Sequence, residues 1–385
     1  MASILYLTRN GLLEPLGQSQ VMAYLRGLSL EYTITLITYE KPEDWSDIDA
    51  MARARADCES HGIRWLPQRF RAQPKIIAPA LSMMRMVGLV RREISRNGVE
   101  LIHARSYIPA AIALLVNRLT GVPFIFDMRA LWPEELITAG RLRGGSLLHR
   151  AIVRAERACL AKSAGVISLT HAAVIHLKSV YPDELENQRV VVIPTCADLS
   201  GCIGTVLSGW FRTDWLSSWI HVVAARDPST RFEIVTRDDK SRVRATLDPE
   251  NKLKERLDIG PSSSEEMPSA VRRQDLSTMF FTSGLSKLGS APTRLAEVLG
   301  CGVPVLVNEG VGDVAEIVRE NNVGVIVDEG SVQDMEAAFE MLQTLLKDPD
   351  LPRRCRTTAE AIFSLEAGTK AYGEIYASIL NTKDT

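Results

Sequence analysis

Ser286-Lys-Leu-Gly-Ser-Ala-Pro-Thr-Arg-Leu-Ala-Glu-Val-Leu-Gly-Cys-Gly-Val-Pro-Val-Leu-Val-Asn308 holds one complete loop, helix and strand. An apolar run at residues 279–282 ends just upstream. A loop of small residues (Gly289, Ser290, Ala291, Pro292, Thr293) then leads into apolar positions at helical spacing. The pattern stops at Gly300 and Gly302, where glycine lets the chain leave a helix, and a β-branched run at 303–308 follows. Strand, loop, helix, strand is the repeating unit of a parallel α/β sheet. Backbone N–H groups at such a helix start have no partner in the helix and lie at the positive end of its dipole, so the junction suits an anion, most often phosphate. Lys287 adds a positive charge from the loop. Glu297, four residues after Thr293, lies one turn deeper on the same face, where a carboxylate can accept two hydrogen bonds from ribose hydroxyls. A plainly capped helix with a solvated glutamate fits the same residues, because loop-to-helix junctions are common in α/β proteins.

The alternation extends over the whole chain. Strands are expected at residues 3–8, 33–38, 62–65, 101–103, 124–127, 165–169 and 190–193, and a second series at 202–206, 231–236, 279–282, 303–308 and 323–327, with helices between. Two such series in sequence imply two doubly wound, Rossmann-like α/β domains. Ligands of open sheets sit beyond the carboxyl ends of the strands, so two domains facing each other would enclose a cleft. Residues 194–201 close the first series and form the natural hinge. The expected division is an N-terminal domain over 1–198, a C-terminal domain over 199–363 and a closing helix within 364–385.

A chain of 385 residues is too long for one compact core and suits two domains. Its 45 Lys+Arg against 47 Asp+Glu leave a formal net charge of -2, which excludes a globally polyanion-binding protein and argues against nucleic acid as partner. The longest apolar runs, 108–116 and 303–307, fall far short of the roughly 20 residues that span a bilayer. The N-terminus reads as a buried strand, without the basic start and long apolar stretch of a signal peptide. Six cysteines are scattered, with no CxxC pair and no histidine at metal-ligand spacing, as expected of reduced thiols in a cytoplasmic protein. Asp348-Pro-Asp350 copies a metal-binding spacing but sits in a polar, proline-containing loop and reads as a turn, so no metal site is expected.

The block at residues 290–305, SAPTRLAEVLGCGVPV, resembles the donor-nucleotide motif of the GT4-type retaining glycosyltransferases, which have the two-domain GT-B fold. Residues 310–318 (GVGDVAEIV) and 322–328 (NVGVIVD) are similar to the strand-and-turn pair that comes next in that family. Residues 12–21 (LLEPLGQSQV) resemble its first N-domain loop, and residues 126–135 (FDMRALWPEE) the loop lining its acceptor side. SLTH at 168–171 and VIPT at 192–195 match two further strand ends, and 363–380 resembles the helix that crosses back to the N-domain. The resemblance implies transfer of a sugar from a nucleoside-diphosphate sugar, with a UDP-sugar as donor class, to a glycan or lipid-linked acceptor with retention of configuration. It implies that Ser290, Pro292 and Thr293 shape the diphosphate site and that Glu297 holds the ribose. Gly204 would lie in the first C-domain loop, Arg212 and Lys287 would supply phosphate charge, and the base would meet backbone around 261–264. Arg129 falls where many relatives have a histidine near the reacting sugar. His103 and Asp127, at neighbouring strand ends, would orient sugar or acceptor, although strand-end polar groups often only satisfy loop amides. No cofactor or metal is required, because helix N–H groups with Arg and Lys can stabilise a leaving diphosphate.

Three departures keep other readings open. Gly289 stands eight positions before Glu297, where relatives commonly carry a second glutamate; Thr205 replaces a common arginine; and the stretch between Asp198 and Gly204 is short. A non-catalytic nucleotide-sugar or glycan binder on the same scaffold, or a nucleotide-sugar epimerase or hydrolase, would share these features. The segment 10–17 is not the Gly-x-Gly-x-x-Gly loop of a dinucleotide-dependent dehydrogenase. Two basic runs remain in the N-terminal domain: Arg69, Arg71, Lys75, Arg85, Arg91, Arg92 and Arg96 against Glu93, and Arg141, Arg143, Arg150, Arg154, Arg157 and Lys162 against Glu156. Such runs fit either a peripheral contact with the inner face of a plasma membrane or a solvated helix face over a core.

Overall fold

The computed structural model describes residues 1–69, 77–196, 207, 210–263 and 266–383. They fall into two compact units, one of Met1–Pro194 with Leu365–Thr385 and one of Thr195–Ser364. The expected strand at 202–206, Gly204 within it, residue 198 and Ser264 lie outside the described residues.

Unit 1 is built on seven parallel strands: β1 (Ser3–Thr8), β2 (Thr33–Glu40), β3 (Arg64–Arg69), β4 (Leu101–Arg105), β5 (Phe124–Asp127), β6 (Gly165–Ser168) and β7 (Val190–Val192). Their order is β3-β2-β1-β4-β5-β6-β7, so the winding direction reverses between β1 and β4. Ile4, Leu5, Leu7, Ile102, Ala104 and Phe126 are fully buried, as expected where helices cover both faces of a parallel sheet. Right-handed crossovers put the connections of the two winding directions on opposite faces. The helices used below are α1 (Ala23–Leu28), α2 (Ile77–Asn97), α3 (Tyr107–Thr120) and α4 (Leu147–Lys162) in unit 1, then α5 (Thr213–Arg226), α6 (Leu285–Leu288) and α7 (Thr293–Gly300) in unit 2, and α8 (Leu365–Leu380), which returns to unit 1. On one face α8 packs on α1; α3 packs between α2 and α4.

Unit 2 holds β8 (Phe232–Val235) paired with β9 (Leu257–Gly260), and a separate parallel sheet of β10 (Ser277–Met279), β11 (Val305–Asn308) and β12 (Gly324–Val327). One continuous sheet is the expectation for a doubly wound domain; the described residues form two. β9 is absent from the expected strands. β10 also ends earlier than expected, because Phe281 leaves the ladder for an antiparallel bridge with Phe211. Gly324 is required by close approach, since a Cβ there would lie 2.0 Å from the Val305 carbonyl oxygen. The buried face of α7 (Leu295, Ala296, Val298, Leu299) packs with Val305, Val307, Leu351 and Cys355. Cys58, Cys159, Cys196, Cys301 and Cys355 are free thiols. Among the described residues no helix is long and apolar enough to cross a membrane.

Candidate active site

In unit 1 a polar cluster lies under the strand ends where the winding reverses, the usual ligand position of an open parallel sheet. Tyr6 of β1 pairs in register with His103 of β4, and Arg105 with Asp127 of β5. The His103 ring stacks on Tyr6 with centroids 4.2 Å apart. Helix α8 covers this face with Tyr372 and Tyr376, four residues apart and therefore on one side of the helix. Tyr376 Oη lies 2.6 Å from His103 Nδ1, and His103 Nε2 lies 3.2 Å from Asp127 Oδ2. A neutral imidazole protonated on Nε2 satisfies both contacts, accepting from the tyrosine and donating to the carboxylate. Tyr372 donates to Asp127 Oδ2 at 3.3 Å and accepts from Arg129 Nη1 at 3.2 Å. The Gln20 carbonyl oxygen accepts from both Arg105 Nη2, at 3.0 Å, and Arg129 Nη2, at 3.2 Å.

Two guanidiniums thus surround one carboxylate. Arg129 Nη1 stands 3.5 Å from Asp127 Oδ1 and Arg105 Nη1 3.6 Å from Asp127 Oδ2. Arg105 Nη1 and Asp127 Oδ1 have no hydrogen-bond partner among the described residues. Burial by itself would raise the Asp127 carboxyl, but Arg129, the His103 hydrogen bond and Arg105 together hold it well below the ordinary carboxylate range. Burial lowers the His103 imidazole and outweighs the pull of Asp127. His103 and Asp127 have no exposed surface, whereas the Arg129 side chain keeps 11% exposure.

A neutral buried histidine makes stability fall on the acid side. The unfolded chain takes up a proton near the ordinary value of about 6.5, whereas the folded imidazole resists it. The stability advantage of the wild-type chain over His103→Gln should therefore be largest above pH 7 and shrink as pH falls toward 5 in chemical unfolding. A difference independent of pH would mean that the imidazole titrates alike in the folded and unfolded chains.

The loops around this cluster are tied down. Leu12 and Leu13 N–H groups donate to the Glu40 carboxylate at 2.8 and 3.4 Å. Gly17 opens a π-helical turn, Gly17–Met22, and a Cβ there would come within 2.1 Å of the Gly11 carbonyl oxygen. Beyond Arg129, Tyr107 Oη accepts from Trp132 N–H at 3.3 Å and donates to buried Glu156 at 2.6 Å.

In unit 2 the chain leaves β10 through 280–284, turns once in α6, and enters α7 after 289–292. Lys287 is buried, with Nζ 2.9 Å from the centroid of the Trp210 ring, a cation–π contact. The Gly312 and Ser290 N–H groups both donate to the Lys287 carbonyl, at 2.9 and 3.0 Å. Pro292 precedes α7, and no side chain caps the helix there. Ser290, Thr293 and Glu297 are half-buried, Glu297 one turn along α7 from Thr293. The Asn308 amide fixes the neighbouring strand end, accepting from Phe281 N–H at 2.7 Å and donating to the Phe281 carbonyl at 3.0 Å.

Arg212 precedes α5 and is held by the bridge of Phe211 to Phe281. Its guanidinium is forked by Asp214, with Nε 2.9 Å from Oδ1 and Nη2 2.7 Å from Oδ2, and stacks over Trp215 at 4.5 Å. Asp348, of the metal-like triplet, accepts from Arg354 at 2.7 Å and from Asp350 N–H at 2.9 Å. The structure thus gathers Lys287, Ser290, Pro292, Thr293 and Glu297 on one loop and helix of unit 2, and His103, Asp127 and Arg129 in unit 1. Gln20, Trp210, Tyr372 and Tyr376 were not anticipated; the four-residue spacing of the two tyrosines in the closing helix is the one sequence signal that could have found them.

The comparisons with known proteins agree with this architecture. Residues 18–196 match the model of a Glycosyl transferase 4-like domain, and residues 222–361 that of Glycosyl transferases group 1. The chain belongs to the GT4-type glycosyltransferases. Its fold is GT-B. This glycosyltransferase is similar in structure to a glycosyltransferase from Rickettsia africae (14% identity, 98% of each chain covered, TM-score 0.69). It is also similar to sucrose-phosphate synthase from Thermosynechococcus elongatus (15% identity, 99% of this chain and 100% of that one, TM-score 0.66). A third similar structure is Anabaena HepE in complex with UDP (14% identity, 98% and 100% covered, TM-score 0.67). No curated protein matches the sequence.

Proposed function

We propose that this glycosyltransferase moves a sugar from a UDP-sugar to a glycan or lipid-linked acceptor, with retention of configuration, without a metal ion, and in the cytoplasm. The observation that carries the reading is the loop and helix of unit 2, where buried Lys287 stands ten residues before Glu297 and the start of α7, with no side-chain cap, one turn before it. HepE, of similar fold, has been solved with UDP. In this reading the α7 amides and Lys287 take the diphosphate, and Glu297 accepts from the ribose hydroxyls. Arg212 contributes charge only in so far as Asp214 shares it. The bond between the anomeric carbon and the phosphate oxygen breaks, and the acceptor oxygen joins that carbon on the same face. The acceptor's proton passes to the leaving phosphate, and the growing negative charge is met by Lys287 and the helix. Arg129 keeps the role near the reacting sugar that the resemblance implies. Buried Asp127, itself held by His103, fixes Arg129, and neither touches substrate.

Calorimetric titration with UDP, GDP and ADP, first in EDTA and then with magnesium, tests the reading. Metal-independent binding of UDP is expected. Glu297→Ala should weaken it by about 1.5 to 3 kcal/mol, the usual worth of hydrogen bonds to a charged group. Unchanged UDP affinity in that variant would remove Glu297 from the ribose site. A second reading, a nucleotide-sugar binder, rests on Gly289 standing where a carboxylate would meet the donor sugar. UDP binding with neither transfer nor donor hydrolysis would select it.

A further inference from the structure

We propose that the polar cluster of unit 1 binds an anionic group, a carboxylate or a phosphate, carried by the donor sugar or by the acceptor, with Arg129 as its direct contact. The inference deepens the transferase reading and rests on it only for which substrate carries the charge. Two guanidiniums, Arg105 and Arg129, share the one carboxylate of Asp127, and among the described residues no other carboxylate stands within ion-pair distance of either. The remaining members are neutral: Gln20, the hydroxyls of Tyr372 and Tyr376, and His103, whose Nδ1 accepts from Tyr376 and whose Nε2 donates to Asp127. One positive charge is therefore left over in a cluster whose members are nearly all removed from water. A buried charge without a counter-charge is costly to the fold and is ordinarily paired.

The unused donors point the same way as the charge. Arg105 is 4% exposed, and its Nη1 has no hydrogen-bond partner among the described residues, although Asp127 Oδ2 lies 3.6 Å away. Water or a sugar hydroxyl would satisfy that donor and leave the charge; an oxyanion answers both. Arg129 is the most exposed member of the cluster, at 11%, so a ligand meets its guanidinium first. Of the five N–H groups of Arg129, one goes to Tyr372 and one to Gln20, which leaves three. Arg105 donates to the same Gln20 oxygen and so adds its charge from alongside. A planar guanidinium presents paired N–H groups that match two oxygens of a carboxylate or phosphate. The cluster also lies at the strand ends beside the reversal of winding, where open parallel sheets take their ligands.

Hydrogen exchange of the full chain, followed by mass spectrometry over residues 124–132, tests this with inorganic phosphate as the probe and sodium chloride at equal ionic strength as the reference. No nucleotide enters and the readout is confined to unit 1, so phosphate at the start of α7 does not count, and a failed UDP titration would leave the result standing. Exchange should slow about tenfold once phosphate exceeds its dissociation constant by that factor. Arg129→Gln should abolish the slowing, whereas Arg129→Lys, which keeps the charge, should retain most of it; a residue that only packs would show no such difference. Calorimetry with UDP-glucuronate and UDP-galacturonate against UDP-glucose then names the carrier. Binding of a uronate about 10- to 100-fold tighter than UDP-glucose, lost in Arg129→Gln, assigns the anion to the donor sugar. Equal affinities alongside protection by phosphate assign it to the acceptor. Absence of both the protection and the uronate preference would overturn the proposal, as would protection that survives in Arg129→Gln.

Discussion

Replacing Asp127 by asparagine is expected to cost unit 1 about 3 to 5 kcal/mol of stability, the range for stripping one partner from a buried ion pair. Asp127 is fully buried and, among the described residues, is the one carboxylate within ion-pair distance of Arg105 or Arg129. Without its charge, both guanidiniums converge on the neutral oxygen of Gln20 with nothing negative between them. Asparagine keeps an oxygen for His103 and Tyr372, so the loss reports charge and not shape. Hydrogen exchange of the β4 and β5 amides is the suitable probe, because two units need not unfold as one. A loss below about 1 kcal/mol would place the pair with solvent-screened bridges and mean that the arginines are compensated by other groups. Tyr372→Phe removes a hydroxyl that bonds both this carboxylate and Arg129 and should cost about 1.5 to 3 kcal/mol, the range for hydrogen bonds to charged groups.

Lys287→Met should lower turnover about 100- to 1,000-fold, the effect of deleting one fixed donor aimed at developing charge. Methionine keeps an unbranched stem of similar length against Trp210, so packing is largely retained while the charge is lost. Initial-rate kinetics should show the loss in kcat, with a smaller change in KM for the donor, because the charge on the diphosphate grows as the sugar leaves. Wild-type turnover in the variant would take Lys287 out of the reaction. Arg212→Met is expected to cost less, since Asp214 already forks that guanidinium.

Strands buried on both faces appear in sequence as short continuous β-branched runs, and β1, β5 and β11 were legible for that reason. β9 was not. Only Leu257 and Ile259 alternate there around Asp258, too few residues to establish a period. The loop and helix at residues 286–297 of unit 2 were legible because their parts lie within a dozen residues. The burial of Lys287 beneath Trp210 was not, since nothing in the loop names an aromatic partner from a segment far upstream. The same limit applies in unit 1. His103, Asp127 and Arg129 stand out at strand ends, but what they touch comes from Gln20 on one side and from Tyr372 and Tyr376, more than two hundred residues later, on the other. Tertiary packing alone joins them.

That separation along the chain also sets an order of assembly during synthesis. Unit 1 is discontinuous: Met1–Pro194 leaves the ribosome first, and Leu365–Thr385 follows only after all of unit 2. At about 5 to 20 residues per second, the intervening stretch takes roughly 10 to 30 s to appear. Throughout that interval His103 and Asp127 lack the two tyrosine hydroxyls, and the face of the sheet beside α1 has no helix over it. Unit 2, one unbroken stretch of chain, has its complete sequence in hand before unit 1 does, so the half of the enzyme made first is the half finished last.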